Sequence, residues 1–194
     1  ADDLPQKFDL RDVDGRSYLS PIKNQNPWGT CYAFGTTAAG ESTYNRAMDL
    51  YDEDAVSLSE AFIIWSLGPK YAGFPVEANG GGGSFENDHL QALVDYGTVR
   101  ESVFPYRPNF MAYAKDEDHL LDYHWDAPRI KFAGWHRLPV NDIATMKEAI
   151  IRFGALDAKV DADSIEFNRY KGGVFEYNGT APDDYIEYFS SMDH

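Results

Sequence analysis

From Thr30 to Met48 the chain runs without a proline, and this stretch constrains the fold more than any other. Ala33, Phe34, Thr37, Ala38 and Glu41 through Tyr44 recur with helical spacing, which predicts one helix with a mostly small, half-buried face. Gly35 and Gly40 lie inside it and are tolerable there. The helix starts at Cys31, the only cysteine in 194 residues.

The remaining signals divide the chain into a helical first half and a strand-rich second half. Residues 1–23 read as loop, with a short apolar pattern at Tyr18, Leu19 and Ile22. In "SLSEAFIIWSLGP" Ser57 and Glu60 have capping-box spacing, and Gly68-Pro69 ends that helix. A glycine run, Gly80 to Gly83, precedes a third helix over about 85–96, closed by Gly97. "VRESVFPYRPNF" is broken by Pro105 and Pro108, and the charged, Tyr-rich residues 112–127 read as a surface insertion. "RIKFAGWHRL" predicts a strand. Asn141 can cap a helix to Phe153, with Ile143, Met146, Ile150 and Phe153 on one face and Gly154 at its end. "ALDAKVDA" alternates as a strand, with Leu156, Ala158 and Val160 opposite Asp157, Lys159 and Asp161. "GGVFEYNG" reads as a short strand after a Gly-Gly turn. Helices first and strands later imply an α+β fold, divided at 1–107 and 108–194.

Composition narrows the function. With 13 Tyr, 12 Phe and 4 Trp the chain is not a disordered one. A net charge of −15 argues against nucleic acid as a partner and against a polybasic membrane anchor. No apolar run reaches the ~18 residues that span a bilayer, and "ADDLPQKFDLRD" does not read as a secretory leader. A single cysteine allows no internal disulfide.

Cys31 has two readings. A lone cysteine is most often a small buried apolar residue. Here, however, it opens a helix, where free N–H groups and the helix dipole stabilise a thiolate. Gly29 permits close backbone approach, and the Gln25 amide could join the Cys31 N–H as a second oxyanion donor. Packing requires none of this.

The segment "NQNPWGTCYAF" resembles the nucleophile segment of papain-like cysteine peptidases, the cathepsin family. Other segments resemble the same family in the same order: "LPQKFDLRD", "SPIKNQ", "LSE", "ALVDYGTVRESVFPY", "RYKGGVFEY" and the terminal "MDH". The resemblance implies a two-lobed papain-like fold, with a helical lobe carrying the nucleophile and a β-rich lobe that is incomplete here. It implies peptide hydrolysis through a thioester, with Cys31 as nucleophile, His194 as its imidazolium partner and Gln25 in the oxyanion hole. His194 lies 163 residues after Cys31, against ~130–150 in the family, and the insertion at 112–127 accounts for the excess. On the substrate side the resemblance places Gly29, Gly82, Gly83, Lys159, Met192 and Asp193. Lys159 would favour an acidic or polar residue two positions before the scissile bond, unless its amine turns to solvent.

His89, His119, His124 and His136 have no metal-ligand spacing and read as core or surface residues. Neither metal nor cofactor is expected. The partner is a peptide or protein substrate, with a second chain or a C-terminal segment completing the β-rich lobe. Trp28 occupies a position where many relatives carry a disulfide cysteine, which resembles disulfide-free prokaryotic members and implies a secreted or cell-surface location. Family members continue past the histidine to an orienting Asn and a shielding Trp. Three alternatives follow: a fragment, half of a cleaved protein, or a natural truncation without activity. A catalytically inactive peptide-binding or scaffold relative is the competing function, and a transferase using the same thioester is a third.

Overall fold

The computed structural model describes residues 4–67, 88–107, 127–160, 165–173 and 185–192. The helices are α1 (Cys31–Ala47), α2 (Asp88–Asp95), α3 (Ile143–Arg152) and the short α4 (Ile165–Arg169). Strands β1 (Phe132–Pro139) and β2 (Tyr185–Met192) pair antiparallel, from Phe132 opposite Met192 to Pro139 opposite Tyr185. The fold is α+β, as the order of sequence signals predicts.

α1 is the central element. Its buried residues run almost all round it, from Tyr32 through Thr36, Thr37 and Gly40 to Asn45, although Ala38 is exposed. A half-buried face was the expectation. The helix is instead enclosed, because the β1–β2 sheet packs on it from one side and the first-half loops from the other. Phe132 and Phe189, both fully buried, stack at 4.1 Å against Gly40. A Cβ at Gly40 would stand 2.9 Å from the Phe132 ring, so glycine sets how closely the sheet approaches. Burial of each ring stabilises the fold by about 1.5–3 kcal/mol.

Asn45 fastens the loop around α1. Its side chain accepts from Val56 N at 2.8 Å and donates to the carbonyls of Tyr18 and Val56. Tyr18 is buried as its apolar pattern suggested, but Ile22 is fully exposed.

Several local expectations need correction. The helix after Ser57 is capped by Ser59, whose Oγ accepts from Phe62 N at 2.9 Å, and it runs as a π-helix over Phe62–Leu67. Glu60 does not close a capping box: its Oε1 accepts instead from Lys23 Nζ and Thr37 Oγ1. Asp142, not Asn141, caps α3, accepting from Thr145 N at 3.1 Å. In α3 Met146 and Ala149 are buried while Ile143 is exposed, so the buried face is rotated from the expected one. No named strand covers 155–160. There Asp157 turns inward, while Ala158 and Val160 are exposed, since Thr36 offers the carboxylate a hydrogen bond. β2 and α4 carried no sequence prediction. The insertion at 112–127 and the strand after Gly173 fall outside the described residues, apart from Ala127.

Candidate active site

Cys31 is the first residue of α1 and is exposed, so its thiol is open to solvent rather than packed. Its position in the first turn leaves its backbone N–H outside the helix's own ladder. Thr30, the residue before it, is fully buried yet makes no side-chain cap to α1.

The loop leading to Cys31 is held by its own hydrogen bonds. Gln25 Nε2 donates to the Trp28 carbonyl at 3.0 Å, and Trp28 N donates back to Gln25 O at 3.1 Å. Thr30 N also donates to the Trp28 carbonyl, at 2.9 Å. An amide nitrogen carries two hydrogens, so one orients Gln25 and the second remains for another acceptor. Gly29 is exposed in this loop.

Tyr106 reaches the same loop from far along the chain. Its hydroxyl lies 2.6 Å from Gln25 O and 3.1 Å from Thr30 Oγ1. Its backbone N–H donates to Glu101 Oε1 at 2.6 Å, and its ring meets Phe34 edge-on at 4.9 Å. Burial raises the Tyr106 phenol, and the bond to Thr30 partly offsets this. Burial likewise raises the Tyr32 phenol, assisted by Cys31 and then Tyr106.

Behind this lies a buried charge cluster. Lys23 Nζ donates to Glu41 Oε1 at 2.6 Å, to Glu60 Oε1 at 2.6 Å and to the Leu58 carbonyl at 2.8 Å. Burial works against the ammonium, but the two carboxylates outweigh it and raise Lys23 overall. Burial pushes the Glu60 carboxyl up, while Lys23 and Thr37 pull it back. With its ammonium donating at 2.6 Å to both acids, Lys23 is read as charged at neutral pH. Glu101 borders a cavity of about 250 Å³ shared with Lys23, Glu60 and Tyr106. Burial pushes its carboxyl up to about 7, although the Tyr106 N–H holds it lower than burial alone would.

Lys159 is half-buried, and Met192, the last residue of β2, packs against the core. His136 stacks on Tyr188 at 5.5 Å, and His89 is buried in α2 with Nε2 3.7 Å from Asp157 Oδ2. Gly82, Gly83, Asp193 and His194, with His119 and His124, lie outside the described residues. Among the described residues no cluster of His, Cys, Asp and Glu is arranged to hold a metal ion. Nor is any helix there long and apolar enough to cross a membrane. Sequence reading singled out Cys31 and Gln25 as candidates, and it did not single out Thr30, Tyr106 or the Lys23 cluster that the structure places near them. The segment ending "VFPY" was legible as a resemblance, yet nothing local in it pointed to Gln25.

The profile of the papain family cysteine proteases matches residues 4–187. This chain belongs to that family. It is 28% identical over 173 residues to mexicain of Jacaratia mexicana, covering 89% of this chain and 70% of mexicain. It is 25% identical to cathepsin K of Mus musculus, covering 89% of this chain but only 46% of that protein. The bromelain protease of Ananas comosus, solved in complex with the E64 inhibitor, superposes with a TM-score of 0.67 at 24% identity. That match covers 95% of this chain and 74% of bromelain, and it supports the papain-type fold.

Proposed function

We propose that this papain-family chain is a cysteine peptidase that cleaves peptide bonds through a thioester on Cys31. One observation carries the reading most: the only cysteine is exposed at the first position of a 17-residue helix, beside a loop that orients an amide donor. The thiolate attacks the peptide carbonyl. The carbonyl oxygen takes up negative charge between the Cys31 N–H and the second hydrogen of Gln25 Nε2. His194 gives its proton to the leaving amine, the thioester forms, and water releases the acid. Gly29, Lys159 and Met192, with Gly82, Gly83 and Asp193, are assigned to the substrate side. The division at 1–107 and 108–194 belongs to the same proposal, as does a secreted or cell-surface setting in a prokaryote.

A peptide-hydrolysis assay and an epoxysuccinyl thiol inhibitor test it together on the full-length protein. Hydrolysis and labelling confined to Cys31 are expected, and Cys31→Ala is expected to lower turnover by at least about a thousandfold. A folded protein that neither hydrolyses peptides nor takes the label would sink the proposal.

A further inference from the structure

A threonine directly before a helix normally turns its hydroxyl onto the first-turn N–H groups. Thr30 does not: it is fully buried, makes no side-chain cap, and its Oγ1 meets the Tyr106 hydroxyl at 3.1 Å. A phenol has one hydrogen to give. The shorter contact, 2.6 Å to Gln25 O, claims that hydrogen, so Thr30 Oγ1 donates to the phenol oxygen. One hydroxyl thus joins Gln25 to Thr30, the two ends of the loop before Cys31.

Tyr106 is itself fixed from other directions, by Glu101 on its backbone N–H and by Phe34 of α1 on its ring. Trp28 N fills a further site on the same Gln25 carbonyl, at 3.1 Å. The raised phenol stays protonated through the neutral range, so the donor to Gln25 persists. Diverting the Thr30 hydroxyl also leaves the start of α1 without a side-chain cap, in favour of whatever binds beside Cys31.

We infer that Tyr106 is a positioning residue for the oxyanion side of the site: through its hydroxyl it fixes the loop that carries Gln25 and leads directly into Cys31. The inference rests on the reading of Gln25 and the Cys31 N–H as the oxyanion donors.

Tyr106→Phe removes the hydroxyl and keeps the ring. In the full-length protein kcat for peptide hydrolysis is expected to fall about tenfold with KM little changed, less than the loss of a whole oxyanion donor. Affinity for a peptide aldehyde, whose adduct with Cys31 places an oxyanion there, is expected to fall by a similar factor. Alkylation of Cys31 by iodoacetamide builds no oxyanion and is expected to keep its rate. Unchanged kcat and aldehyde affinity in Tyr106→Phe, with active wild type, overturn the inference alone. Inactive wild type overturns the peptidase reading and the inference with it. Should Tyr106→Phe not fold, Thr30→Val and Thr30→Ser take its place. The valine variant is expected to show the same kcat and aldehyde losses, and the serine variant to restore both. Equal kcat and aldehyde affinity in the two variants overturn the inference.

Discussion

Two buried polar clusters flank α1, and they are built differently. On the first-half side, Lys23 directs three donated bonds to Glu41, Glu60 and the Leu58 carbonyl, none longer than 2.8 Å. Leu58 N and Ser20 Oγ fill further positions on Glu41, and Thr37 Oγ1 donates to Glu60 at 2.8 Å. On the other side, Asp157 reaches α1 from beyond α3. It accepts from Thr36 Oγ1 at 2.7 Å, but His89 Nε2 remains 3.7 Å away, beyond hydrogen-bond range. His89 Nδ1 is buried with no partner among the described residues. The first cluster joins segments within 60 residues of the N-terminus, and the second bridges the two halves of the chain. The Lys23 ammonium inside one half is enclosed by acceptors, whereas the Asp157 carboxylate at the seam between halves takes one good hydrogen bond, from Thr36. Gly35 makes even that bond feasible, since a Cβ there would lie 2.8 Å from Asp157 Oδ1.

The largest effect should come from breaking the first cluster. Lys23→Ala leaves Glu41 and Glu60 buried together without their cation, and is expected to cost about 3–5 kcal/mol of stability. Urea unfolding measures it, and a loss below about 1 kcal/mol would show the cluster to be surface-like. The seam should be less sensitive. Asp157→Asn keeps the shape and can still accept from Thr36, so about 1–2 kcal/mol is expected from the same measurement. A cost equal to that of Lys23→Ala would contradict the contrast drawn between the two sites.

The smallest effect concerns Glu101, at the edge of the first cluster. Its folded carboxyl is raised from 4.5 to about 7, mainly by burial. The folded state therefore favours the neutral acid. Its contribution to stability is full below about pH 4.5 and is lost as pH rises through about 7. Glu101→Gln stays neutral and still accepts from Tyr106 N. It is expected to gain on the order of 1 kcal/mol over wild type near pH 8, a figure reduced for partial solvent screening, and little near pH 4. Thermal unfolding across that range checks it; parallel profiles for the two proteins would refute the assignment.

What the sequence made legible was local. The helix from Cys31 and its end near Met48 follow from propensity and the absence of proline, which neighbours in the chain decide. Gln25 was legible because it lies six residues before the cysteine in a recognisable segment. Ser57 and Glu60 show where local reading fails. Their spacing fits a capping box, but tertiary packing gave Glu60 to Lys23, 37 residues away, and the cap passed to Ser59. β2 was missed because "YIEYFSSM" alternates weakly, and its strand form depends on pairing with β1.

By itself, then, the sequence determined the α+β order, the family resemblance, the start of α1 and the nucleophile candidate placed there. Only the tertiary structure decided which side Asp157 faces, how closely the sheet approaches Gly40, and that Tyr106, 81 residues from Gln25, closes the loop beside Cys31. The physical reason is that helix starts and turns are set by bonds within a few residues, whereas a buried polar group takes whatever partner the packed chain brings within about 3 Å.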